Sequence, residues 1–194
     1  MMPEVPSEPI EVEAVKDLLS KLPRPPKVSL PGGASDADIQ AFSDRTGIKV
    51  PPPLAEWLKL CNGPMVGPGG LFGIPPVRKH LSIEYIYEIY PEWREKAWIP
   101  LSSDGCGNYY ILASAQDFGP GWPVLFIDTM EARDRPAYIV ASGIWRFLVF
   151  LLEDEFLHEK GLFDTPWPFD RAEVTRRDPE IESFRGVPLP WEAD

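Results

Sequence analysis

The chain has 194 residues, 44% of them hydrophobic and seven of them tryptophan, so burial can offset the conformational entropy lost on folding and a largely disordered chain is excluded. Thirty acidic side chains against 19 basic ones give a formal charge of −11, which argues against nucleic acid or an anionic membrane as partner and favours a basic protein. The two cysteines, Cys61 and Cys106, have no CxxC or zinc-type spacing, so neither a disulfide framework nor a metal knuckle is indicated, no cofactor is called for, and a reducing cytoplasm fits.

The N-terminus "MMPEVPSEPIEVEAVKDLL" is acidic and unlike an export signal, and no apolar run approaches the roughly 18 residues of a membrane span. Val15, Leu18, Leu19 and Leu22 recur with helical spacing and predict a helix from about residue 10 to Pro23, followed by a linker, "PRPPKVSLPGG". Ser35 and Asp38 form a capping box for the next helix, which Gly47 can close, with Ile39 and Phe42 toward the core. Pro51 to Pro53 open a third helix with Leu54, Trp57, Leu58 and Cys61 on one stripe, ended by Asn62 and Gly63. Ile86, Ile89, Tyr90 and Trp93 predict a fourth helix with a break near Pro91.

Beyond Trp98 the texture changes to short apolar runs, "WIPLSSD", "NYYILAS" and "PVLFIDT", separated by glycine-rich turns, which predicts three strands of an antiparallel meander. "ASGIWRFLVFLLEDEF" then reads as a helix against the sheet, with Ile144, Phe147, Leu148, Leu151 and Leu152 deepest. The 24 prolines crowd into residues 3–31, 51–76 and 164–190 and mark tails and connections. The expected organisation is an N-terminal helix and linker over 1–34, a domain over 35–160, and a Pro-rich acidic tail over 161–194. Phe163, Trp167, Phe169, Phe184 and Trp191 argue that parts of this tail dock on the domain.

Chemical candidates are few. "GPGGLFG" places Phe72 where a dinucleotide fingerprint needs glycine, with no strand before it and no helix opening after it. Ser102, Ser103, Asp104 and Cys106 crowd a turn, but the two imidazoles, His80 and His158, lie in no recognisable motif, so an uncharacterised hydrolase is a distant reading. Asp104 and Gly105 read as a tight turn, and Asp104, Asp117 and Asp128 lack a ligand spacing for a metal. Glu84, Glu88 and Glu92, four residues apart, form an acidic ridge that the fold tolerates at roughly a few tenths of a kcal/mol per pair. That ridge is either a solvated face or a docking surface for a basic partner, with Tyr85, Tyr87 and Tyr90 as anchors where exposed.

Taken in order, "DIQAFSDRTGIKVPPPLAEWLKLCNG", a glycine-rich strand, "SSDGCGNYY", "PVLFID" and "ASGIWRFLVFLL" resemble the SMI1/KNR4 family of the SUKH superfamily over about residues 35–153. Trp57, Asn62 and Gly63 stand at its first motif and Asp104, Gly105 and Gly107 at its second, all in structural roles. The resemblance implies an α+β fold, a single domain with a largely antiparallel sheet and flanking helices. It also implies protein binding rather than catalysis, because bacterial members are often immunity proteins against toxins, frequently nucleases, and fungal members act in cell-wall signalling. The expected function is therefore capture of a basic toxin domain, with a general scaffold or regulatory module as the alternative.

Overall fold

The computed structural model describes residues 9–22, 29–114 and 117–193, so most of the expected "PRPPK" linker and the first eight residues lie outside the described residues. Helix α1, Pro9–Lys21, buries Val15 and Leu19 and packs along α6, Ile144–Glu159, where Glu11 pairs with Arg146 at 2.5 Å. Helix α2, Asp36–Thr46, starts at the expected capping box. The Asp38 N–H donates to Ser35 Oγ, the Ser35 N–H donates to Asp38 Oδ2, and Gly47 closes the helix at φ +74°. Helix α3, Pro52–Leu60, turns Leu54, Trp57 and Leu58 into the core, with Cys61 buried just past its end.

Asn62 does more than end α3. Its Nδ2 donates to the Ile74 carbonyl at 2.8 Å and its Oδ1 accepts from the Ile74 N–H at 2.9 Å, so the side chain replaces a missing strand for the glycine-rich segment. A Cβ on Gly73 would stand 2.3 Å from Asn62 Oδ1, which is why this position has no side chain. The segment then runs beside the sheet, with the Phe72 N–H on the Leu101 carbonyl and the Ser102 hydroxyl on the Gly70 carbonyl.

Helices α4, Ile83–Ile89, and α5, Pro91–Glu95, are split at Pro91 as the sequence suggests. Ile89 departs from the expected stripe and is exposed. The buried positions are Ile83, Ile86 and Tyr87, because Tyr87 anchors the face by donating its hydroxyl to the Trp98 carbonyl.

The sheet is antiparallel in the order β1 Ile99–Ser103, β2 Tyr109–Leu112, β3 Val124–Ile127 and β4 Tyr138–Ala141. The fourth strand corrects the expectation of three. It is four residues long and runs within three residues into the apolar α6, so the helical pattern absorbed it. Both faces are covered: Tyr109 packs on Phe72, Tyr90 and Trp93, whereas Tyr110 packs on Phe126, Phe147 and Trp167.

The segment after α6 closes the open edge of β4. Pairing skips from Leu125–Ile139 to Val124–Ala141, so Val140 faces no residue of β3 and its carbonyl accepts from Trp167 Nε1. The Ile139 N–H donates to the Pro188 carbonyl and the Ser142 N–H to Asp178 Oδ2 at 2.7 Å. Helix α7, Arg171–Arg177, and the 3₁₀ turn Pro179–Ser183 bury Val174 and Ile181 behind these contacts. Of the five tail aromatics, Trp167 and Phe184 are buried and Trp191 is half-buried, but Phe163 and Phe169 face solvent.

Two outcomes follow. Asn62→Ala strips both partners from the buried Ile74 backbone and is expected to lower unfolding free energy by about 2–4 kcal/mol, read as a reduced urea midpoint at unchanged slope. Burial raises the Asp178 carboxyl pKa, against the lowering effect of the Ser142 hydrogen bond. The fold thus favours the protonated form, and wild-type stability drops as pH rises through the raised pKa. Asp178→Asn keeps an acceptor without the charge, so its melting temperature should match wild type near pH 3 and exceed it by pH 7, the gap opening between about those values. A gap that opened as pH fell would overturn this account.

Candidate protein-interaction surface

The acidic ridge is divided by the break at Pro91. Glu84 and Glu88 belong to α4 and Glu92 to α5. Glu84 accepts from Arg45 Nε at 2.7 Å, so its charge is spent on α2, while Glu88 is exposed and Glu92 half-buried. Tyr87 and Tyr90 are core residues, leaving Tyr85, half-buried under Lys79 Nζ at 4.5 Å, and the exposed Ile89 beside the carboxylates. Arg94 turns back to the carbonyls of Thr46 and Arg45. What the ridge leaves open to solvent is Glu88, part of Glu92 and a small apolar edge.

The β1–β2 turn is the tight turn that Asp104 and Gly105 suggest. Asp104 Oδ1 accepts from the N–H groups of Cys106 and Asn108, and Oδ2 accepts from Asn108 Nδ2. Gly105 and Gly107 both lie at positive φ, and a Cβ on Gly105 would stand 2.9 Å from Pro68 of the glycine-rich loop. Asn108 in turn receives the Thr129 N–H, and the Thr129 hydroxyl donates to the Gly107 carbonyl, which ties this turn to the β3–β4 loop. The sequence showed the turn but not the tie, because Asn108 and Thr129 are 21 residues apart and neither carries a motif.

The nucleophile and metal candidates are not brought together. Asp104 has its oxygens engaged in the turn, Asp117 Oδ2 accepts from Trp98 Nε1, and Asp128 caps the N–H groups of Met130 and Glu131. Among the described residues no group of three His, Cys, Asp or Glu could hold a metal ion, and no hydrogen bond joins Cys106 to an imidazole. His80 stands in the 3₁₀ turn Lys79–Leu81, and His158 lies on α6 with Nδ1 3.4 Å from Asp154. The aspartates do shape the local field. Burial first, then the Asp104 and Asp128 charges, pushes the Tyr138 hydroxyl up to about 12.

No described helix is long and apolar enough to cross a membrane. Comparison with curated proteins gave no significant match. The model of the SMI1 / KNR4 family (SUKH-1) matches residues 33–149, from the loop before α2 through the first turns of α6. That span is well over half the chain and holds the α3 terminator at Asn62, the Asp104 turn and all four strands, so this protein belongs to the SMI1/KNR4 (SUKH-1) family.

Proposed function

We propose that this protein is a non-catalytic SUKH binding domain acting in the cytoplasm as an immunity protein, capturing a cognate basic toxin of the nuclease type. The observation that carries this reading is the acid excess, a formal charge of −11 on a family frame whose site candidates are engaged in structural hydrogen bonds. Opposed potentials raise encounter rates by roughly 10-fold or more at low salt, and carboxylates such as Glu88 and Glu92 suit a cleft that would otherwise hold phosphate. A scaffold whose Pro-rich tail is a displayed peptide ligand has less support, because Trp167, Asp178 and Pro188 of that tail are engaged with β4.

The test is a tagged pulldown from native extract at low salt and at about 0.5 M salt, with the bound proteins identified by mass spectrometry. One basic toxin domain is expected, and Glu88→Gln/Glu92→Gln should retain it about 3–10-fold less well at low salt, the difference shrinking at high salt. Recovery of only neutral or acidic housekeeping proteins would end the immunity reading.

A further inference from the structure

Six large apolar side chains stand exposed among the described residues, and five of them, Met65, Met130, Leu162, Phe163 and Phe169, lie at one end of the sheet. The topology brings them there. β1 ends at Ser103, β2 begins at Tyr109, β3 ends at Ile127 and β4 begins at Tyr138, so the β1–β2 and β3–β4 loops share this end, and α6 runs back toward it from β4.

Contacts join the pieces into one surface. Met65 Sδ lies 3.1 Å from where a Cβ on Gly70 would stand, and Gly69 is closed against Ser103 in the same way. Thr129, the neighbour of Met130, is tied to Gly107 and Asn108. Thr165 Oγ1 donates to Asp154 on α6, Phe163 packs on His158 at 5.5 Å between centroids, and Phe169 meets Tyr138 edge-on at 5.7 Å.

Phe163 and Phe169 rest their rings on His158 and Tyr138, so a partner would lose less side-chain entropy in ordering these two. Met130 is 88% and Phe163 75% exposed, and Phe163 is left out although Trp167, four residues on in the same segment, is buried. Carboxylates lie on the same elements: Asp154 and Glu155 on α6, Asp104 and Asp128 in the loops, and the exposed Glu159 at the end of α6 and Asp164 after it in sequence. The cations nearby are fewer: the exposed Lys160 and Arg133, over the Phe156 and Tyr90 rings, and the exposed Arg135. Apolar anchors in a predominantly anionic field are complementary to basic side chains flanking apolar ones, and they disfavour an anionic bilayer.

We propose that this loop end is the docking surface for a segment of a basic protein that carries apolar side chains between its lysines or arginines, with Met130 and Phe163 as its anchors. The proposal rests on the reading of the chain as a binder of basic proteins and moves the main contact away from the α4–α5 ridge. Leu162, Phe163 and Phe169 lie beyond residue 149, where the family match ends.

The test titrates the ¹⁵N-labelled full chain with a Lys/Leu peptide of about 12 residues, with Lys/Gly and Glu/Leu peptides as controls. Amide shifts are expected at 64–70, 104–108, 128–135 and 158–170, with affinity about 10-fold above either control. Met130→Ser and Phe163→Ser, both at exposed positions, should each weaken binding several-fold, roughly 3–10-fold, at unchanged melting temperature. Shifts confined to α4 and α5, equal binding of the Lys/Gly peptide, undiminished binding by both variants, or tighter attachment to anionic phospholipid vesicles than to the peptide would each overturn it. If extracts yield a basic toxin that both variants bind normally, the surface is wrong and the immunity reading stands. If the peptide binds here but extracts yield no basic partner, the surface stands and the immunity reading falls.

Discussion

A four-stranded antiparallel sheet has two edges whose backbone groups must find partners, and in this protein both are closed by chain that is not part of the sheet. On the β1 side the glycine-rich segment supplies the Phe72 N–H and the Gly70 carbonyl. On the β4 side the C-terminal segment supplies the Pro188 carbonyl, the Trp167 indole and the Asp178 carboxyl group. Where these segments lie, a partner could add a strand only by displacing them. Under the proposed binding role, recognition would fall to side chains on loops and helices.

The two closures work differently. The β1 side depends on Asn62, whose amide is a two-way clamp on Ile74 and helps a glycine-rich segment hold a fixed register. The β4 side depends on a bulge at Val140, which frees a carbonyl that a large indole then covers. Placing Trp167 there also stacks it on Tyr110 and Phe150, so one residue seals the edge and extends the core. That location constrains the rest of the tail. Val174 of α7 and Ile181 of the turn after it are buried behind β4, and Phe163, before Trp167, is left near the end of α6 facing solvent.

The same arrangement separates structure from function within each motif. Asp104, Gly105 and Gly107 shape a turn, and Asn62 and Gly63 shape a terminator. The side chains left toward solvent lie elsewhere, such as Met130 and Phe163 at the loop end or Glu88 and part of Glu92 on α4 and α5. A fold of this kind can keep its frame while changing what it binds, because the frame is held by backbone-directed hydrogen bonds and the surface by side chains that carry few of them.

Local chemistry is what the sequence by itself determined. The capping box at Ser35, the closure at Gly47, the three-proline start of α3, the break at Pro91 and the Asp104 turn each depend on residues within a few positions of one another, and each was legible before any coordinates. The family was legible for the same reason, since its pattern is an order of such local pieces. Tertiary structure alone decided the rest: that β4 exists, that Ile89, Phe163 and Phe169 face out while Trp167 faces in, that Glu84 is paired with Arg45, and that five exposed apolar side chains gather at one end. Each of these depends on groups far apart in the chain competing for the same space or the same hydrogen bond, and periodicity within one segment carries no information about which competitor wins.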